Sequence, residues 1–307
     1  MASLMAKIAP IFMRKMFSMN PVEGKSLRSV TMRISKDGYK LRKGYTRKAE
    51  TTPNGTKYEV YRSSLGNTGK LFLYFHGGGY VVGLSQLYRT LACDLATAIG
   101  GECVLLDYSI APEFLYPTQR DQAFDLWNEL TEKQGYKPEN IYVGGDSAGG
   151  NLTMTFLLGL RDQGKPMPRC VVAISPWTDM TASGPNYVNH YNSDPMFGQK
   201  EDPLTPETRA ELLKSEMYAW CGDAERTDPY VSPVYGDYKN FPPTIISVGG
   251  DEILWDDAMT IADNMEKNGV EVKRICHEKM FHIYPLFPVF PEGKDAFEQI
   301  IAFVKAH

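Results

Sequence analysis

A chain of 307 residues with 43% hydrophobic and 23% charged residues can bury one large α/β domain or two ordinary ones. The net charge of −4 gives no basic surplus for nucleic acid, and no stretch approaches the ~18–20 apolar residues that a membrane span needs. The first 19 residues are apolar and rich in Met, but Lys7, Pro10, Arg14 and Lys15 interrupt them. They suit an amphipathic helix that covers another surface better than an export signal or a stable membrane insertion. The basic stretch Lys36–Lys48 interleaves with Tyr39, Leu41 and Tyr45 and reads as a solvated edge.

From about residue 57 strand-like and helical runs alternate. Strands are predicted at Lys57–Tyr61, Leu71–Phe75, Cys103–Leu106, Ile141–Val143, Cys170–Ile174, Thr244–Val248 and Val270–Cys276. Helices are predicted at Leu87–Ile99, Gln119–Lys133, Asn151–Gln163, Asp256–Lys267 and Asp295–Lys305. Most of the strands are continuous apolar runs, the pattern of a sheet covered on both faces. Gly100, Gly101, Gly164 and Gly269 follow helical runs as stop signals. The reading is a doubly wound α/β sheet. Residues 176–235 separate two strands with more chain than such a connection needs and carry one helical run, Pro206–Trp220. The expected organisation is an N-terminal cap segment over 1–50, a core over 51–175 and 236–307, and a cap insertion over 176–235. Five cysteines, odd in number and without a Cys-x-x-Cys pair, suit a reduced cytoplasmic setting. Cys103, Cys170 and Cys276 fall in predicted strands, where a thiol is usually a small buried hydrophobe.

Gly145-Asp146-Ser147-Ala148-Gly149 lies between a strand and a helical run, the setting in which Gly-x-Ser-x-Gly forms a nucleophile elbow. The turn is tight enough that glycine is needed two residues to either side of the serine. A serine hydroxyl needs a base, a carboxylate that orients the base, and amide donors for the oxyanion. Among five histidines only His282 sits on a loop after a late strand with apolar neighbours. His76 precedes the serine, His190 lies in the insert, His277 ends a strand and His307 is terminal. The acid should follow a strand between residues 147 and 282. Asp251 stands directly past Thr244–Val248; Glu252, Asp256 and Asp257 are its rivals, the last two better placed to open the next helix. His76-Gly77-Gly78-Gly79-Tyr80 follows another strand, and its free amides, with that of Ala148, can hold an oxyanion.

Taken in order, His-Gly-Gly-Gly-Tyr, Asp107–Glu113, Gly-Asp-Ser-Ala-Gly-Gly, Ser175–Asp179, Asp251–Leu254 and Met280–His282 resemble the hormone-sensitive-lipase-like branch of the α/β-hydrolases. That resemblance implies an α/β-hydrolase fold with a helical cap, built from the N-terminal segment and the insert. It implies the triad Ser147, Asp251 and His282, oxyanion donors at Gly78, Gly79 and Ala148, and His76 as a loop-shaping residue. It also implies hydrolysis of carboxylic esters, usually of short acyl chains, with no cofactor and no metal. Ser109 stands where the family often has Arg, and the first 50 residues match none of its motifs. The expected partner is a small-molecule ester; the oligomeric state is left open, a homodimer included. Tyr80, Trp177, Met280 and Phe281 are candidate pocket walls. Amide, formamide or acetyl-ester cleavage on the same triad is the alternative chemistry. A lipase guided to interfaces by residues 1–19 and a catalytically silent receptor are the other readings, the receptor disfavoured because a nucleophile, a base and an acid are all present.

Overall fold

The computed structural model describes residues 41–198 and 205–307 and, nearer the N-terminus, residues 3, 5, 11, 13 and 14. The helix expected over residues 1–19 and most of the N-terminal cap segment therefore lie outside the described residues.

Eight strands form one sheet in the order β1-β2-β4-β3-β5-β6-β7-β8. They are β1 (Tyr45–Thr51), β2 (Lys57–Ser63), β3 (Leu71–Phe75), β4 (Glu102–Asp107), β5 (Ile141–Asp146), β6 (Cys170–Ile174), β7 (Thr244–Gly249) and β8 (Val272–His277). The contacts β1–β2 and β2–β4 are antiparallel, and all others are parallel. β3, β5 and β6 are fully buried, as expected for strands covered on both faces. β1 was not expected as a strand. Its sequence, YTRKAET, is mostly exposed and lacks the apolar run of a central strand, so only its pairing with β2 reveals it. Arg42, Arg47 and Lys48 from the basic stretch pair there with Asp94, Glu59 and Glu50, a solvated charged edge.

Helices α1 (Gln86–Ile99), α2 (Thr118–Asn128), α3 (Ala148–Asp162), α7 (Trp255–Lys267) and α8 (Pro291–Ala306) connect or follow the strands. Two apolar clusters occupy the two sides of the sheet; α3 belongs to one, α1 and α8 to the other. α3 is buried on every side from Ala148 to Leu160, so it is the central helix of the packing. Over residues 176–235 the described residues form three short α-helices, α4 (Asn186–Asn189), α5 (Pro206–Leu212) and α6 (Glu216–Ala219), and a 3-10 turn at Pro233–Tyr235. The single helix expected over Pro206–Trp220 is broken because Ser215 adopts an extended backbone, φ −63° and ψ 161°. Among the described residues no helix is long and apolar enough to cross a membrane. Four cysteines are buried, but Cys276 is exposed, because β8 is an edge strand with only one neighbour.

The parallel strands point their C-terminal ends toward one side, where open α/β sheets place their sites. The turn from β5 to α3 is the tightest junction. A Cβ on Gly149 would lie 2.0 Å from the Phe75 carbonyl oxygen, and one on Gly145 would lie 2.3 Å from the Gly149 carbonyl oxygen. Both contacts are with backbone, which cannot swing away. Gly149→Ala is therefore expected to destabilise the fold by roughly 3 kcal/mol or more. Urea unfolding of the variant, set beside Gly83→Ala, where a Cβ meets nothing within 4 Å, measures this; equal midpoints would refute it.

Candidate active site

Ser147 stands between β5 and α3 with φ 55° and ψ −120°, a conformation that a side chain adopts only under compulsion. Backbone contacts supply the compulsion. The Ser147 amide donates to the Ile174 carbonyl at 2.9 Å, and the Ser147 carbonyl accepts from the Trp177 amide at 3.1 Å. As the first residue of α3, Ala148 has an amide with no acceptor inside the helix, and the positive end of the helix dipole lies there.

His282 follows β8 and is 2% exposed. Its Nδ1 lies 2.8 Å from Oε2 of Glu252, which is fully buried. A carboxylate can only accept, so Nδ1 carries the hydrogen and Nε2 is left as the basic nitrogen. The other Glu252 oxygen accepts from the Ser175 hydroxyl at 2.7 Å and from the Gly249 amide at 2.5 Å.

The structure therefore joins His282 to Glu252 and not to Asp251, the acid expected from the sequence. The reason is local. β7 runs one residue beyond the expected Val248, to Gly249, and the chain then folds back so that the Asp251 amide bonds to the Met280 carbonyl. The next side chain along turns inward, and the extra methylene of glutamate gives it reach. The Asp251 carboxyl is half-buried with His190 and Lys279 as its nearby charges, and burial raises its pKa. Asp256 and Asp257 open α7, as expected, and accept backbone amides of the insert: Asn186 for the first, Thr178 and Asp179 for the second.

Gly77, Gly78 and Gly79 follow β3. Gly78 and Gly79 have positive φ, 119° and 59°, and among the described residues their amides donate to no backbone carbonyl. The loop is braced from below by Asp146, the residue before the nucleophile. Asp146 is fully buried and accepts from Tyr74 and Tyr88 hydroxyls at 2.9 Å each and from the Gly77 amide at 3.0 Å. A Cβ on Gly77 would come within 2.3 Å of the Asp146 carboxylate, so this glycine is required for the brace. His76 stacks on Tyr108 with ring centres 4.0 Å apart, and its Nδ1 lies 2.8 Å from the Gly77 carbonyl oxygen. That contact requires hydrogen on Nδ1. Sequence reasoning gave Asp146 and Ser175 no role, because both bind through groups far apart in the chain.

Ser147 and Gly79 open onto a pocket also lined by Trp177, Phe197, Leu212, Met217, Tyr218, Ile253 and Leu254. Phe197 packs its ring on the His282 imidazole, centres 4.7 Å apart and edge to face, and so ties the base to the same pocket. Of the four expected wall residues only Trp177 lines it. Tyr80 instead stacks on Trp220 of the insert at 3.9 Å and donates to Asn151 at 2.7 Å. Met280 and Phe281 belong to the apolar cluster on the other side of the sheet. Asp194 fixes the segment that carries Phe197: its carboxylate accepts from the Met196 and Phe197 amides and, across from the insert, from the Ile253 amide. Among the described residues no group of His, Cys, Asp and Glu is arranged to hold a metal ion.

Burial shifts two groups beneath the oxyanion loop in ways that oppose each other. Burial holds the His76 pKa down from 6.5 to about 4, so the native state takes up a proton there later than the unfolded chain. Its contribution to stability is complete above pH 6.5 and is lost as pH falls toward about 4. Burial pushes Asp146 up from 3.8 to about 6, against the pull of its tyrosine donors, so its contribution is lost as pH rises across that window. A His76→Phe variant keeps the ring stack and removes only the first dependence. Between pH 7 and pH 4 the unaltered protein should lose about 3 kcal/mol more than this variant. Urea midpoints at the two pH values test it, and parallel losses would show that His76 does not resist protonation.

A family profile described as alpha/beta hydrolase fold matches residues 72–286. An acetyl-hydrolase of Streptomyces hygroscopicus is 34% identical over 77% of this chain and 76% of its own length. An esterase of Acinetobacter venetianus is 33% identical over 76% of this chain and 74% of its own. Among solved structures EstE5 superposes with a TM-score of 0.86 at 30% identity, covering 99% of both chains. An esterase from the bacterial hormone-sensitive lipase family gives a TM-score of 0.82 at 27% identity over 100% of this chain and 99% of the other.

Proposed function

The chain belongs to the α/β-hydrolase family, in its hormone-sensitive-lipase-like branch, and is a carboxylic ester hydrolase; from that premise we propose that it cleaves short-chain acyl esters through an acyl-enzyme on Ser147, with His282 as base and Glu252 as the orienting acid. The observation that carries the assignment of the acid is the 2.8 Å contact between His282 Nδ1 and Glu252 Oε2, both side chains being buried.

In this mechanism Nε2 of His282 takes the proton from the Ser147 hydroxyl as Oγ bonds to the ester carbonyl carbon. The carbonyl oxygen becomes the oxyanion and accepts from the amides of Gly78, Gly79 and Ala148. Glu252 keeps the imidazole in its Nδ1–H form and stabilises the imidazolium. That imidazolium returns its proton to the departing alkoxide oxygen. A water molecule, deprotonated by the same nitrogen, then cleaves the acyl-enzyme and frees the acid and Ser147. The pocket supports a short uncharged acyl group: among the described residues its lining holds no charged side chain. The insert over 176–235 is proposed as the cap, because Phe197, Leu212, Met217 and Tyr218 all come from it. Five cysteines, none of them in a disulfide, support a reducing, cytoplasmic setting.

Two measurements check this reading. On p-nitrophenyl esters of increasing acyl length, turnover should peak at short chains, and Ser147→Ala should abolish it; wild-type turnover in that variant would remove the mechanism. The matched anilides, run beside the esters, should be cleaved far more slowly, and equal rates would favour amide chemistry. Separately, Glu252→Gln should lower kcat by about 10³–10⁴-fold, whereas Asp251→Asn should stay within about threefold of wild type. The reverse order would return the acid to Asp251.

A further inference from the structure

The Ser175-Pro176-Trp177 segment at the end of β6 has a place in the family pattern but no role in the mechanism above. We propose that Ser175 is the positioning residue that sets the acid and the base relative to the nucleophile, a role that rests on the assignment of Glu252 and His282 made above.

One hydroxyl makes both connections. Ser175 Oγ donates to Glu252 Oε1 at 2.7 Å and accepts the amide of Ile283, the residue after His282, at 3.0 Å. The acid is thus held by its carboxylate and the base by its backbone, through the same atom. The flanking residues grip the nucleophile: Ile174 accepts the Ser147 amide and Trp177 donates to the Ser147 carbonyl. Pro176 fills the space beside Gly150, where a Cβ would lie 2.8 Å from the proline ring. Four consecutive residues therefore touch the elbow, the acid and the loop of the base, which otherwise come from three different strands.

The backbone shows that the hydroxyl, and not local comfort, is what this position serves. Ser175 has φ 44°, in the left-handed region that favours glycine, and is fully buried. Its amide bonds to the Ser247 carbonyl at 2.6 Å, which anchors the strained residue to β7. Glycine would relieve the strain at no steric cost, yet it would strip Glu252 of a donor and the Ile283 amide of its acceptor. Lost positioning slows the chemical step and leaves binding alone, since no part of Ser175 lines the pocket. With one donor fewer the Glu252 carboxylate is more basic and stabilises the imidazolium more, so the acid-side midpoint of the pH–rate profile should rise.

The test measures kcat, KM, the pH dependence of kcat/KM and thermal stability for Ser175→Gly and Ser175→Ala on a short-chain p-nitrophenyl ester, with Ser147→Ala and Glu252→Gln in the same assay. Ser175→Gly should fold, with a melting temperature lowered by several degrees because the Ile283 amide loses its acceptor. Its kcat should fall about 10–100-fold, the worth of one hydrogen bond to a charged group, with KM within about threefold and the acid-side midpoint shifted upward. Ser175→Ala should show the same kinetic pattern, and it decides the matter alone if the glycine variant does not fold. Any other combination, in particular wild-type kcat or an unmoved midpoint, overturns the inference. If Ser147→Ala or Glu252→Gln turns over normally, the assignment of the site has failed; if both are inactive and Ser175→Gly is not, this inference alone has failed.

Discussion

The structure depends on the compulsion at Ser147. A serine with φ 55° and ψ −120° is held in place because every alternative is blocked. Its amide and carbonyl are both bound by the β6 exit, and its neighbours two residues away are pressed against backbone oxygens at distances only glycine tolerates. The strain presents the hydroxyl above the sheet edge and starts α3 immediately behind it, so one turn supplies the proposed nucleophile, its proposed amide donor and the positive end of a buried helix. Burying that helix on all sides is the packing that offsets the strained turn.

Buried carboxylates carry the remaining order. Asp146 holds the glycine loop through two tyrosines and an amide, Glu252 holds the imidazole, and Asp194 and Asp257 tie the insert to the loop and helix after β7. Among the described residues none of the four is paired with Lys or Arg. Each is stabilised by directed donors instead, which fix position more narrowly than a point charge would. Such groups are costly to bury, and their concentration around one pocket is what a pre-organised site requires.

Much of this was legible in the sequence. Of the seven expected strands, β3 to β7 lie close to their true limits because burial on both faces leaves an unbroken apolar signal, whereas β2 and β8 are only partly buried. The elbow and the glycine loop were legible because their chemistry is local: glycine next to serine, glycine after a strand. His282 emerged by elimination among five histidines. The acid did not. Asp251 and Glu252 are adjacent carboxylates, and which one faces inward depends on where β7 ends and how Gly249 and Gly250 turn, a difference of one residue that propensity does not register. β1 was missed because an edge strand needs no apolar run, and most of the pocket walls because they reside on short insert helices whose contacts are all long-range. The roles of Asp146, Ser175 and Asp194 are relations between distant segments and have no local signature.

The insert divides into two parts with different attachments. Residues 190–197 are fastened to the loop of the acid: His190 lies 3.2 Å from the Glu252 carbonyl oxygen, and Asp194 accepts the Ile253 amide. Leu212 and Met217, by contrast, belong to α5 and α6, which among the described residues share no hydrogen bond with the loops of Glu252 or His282. The pocket wall given by Leu212 and Met217 and the hold on the imidazole are consequently written on different stretches of one lobe, with Phe197 serving both. Selection, or an engineer, can reshape the former without disturbing the latter.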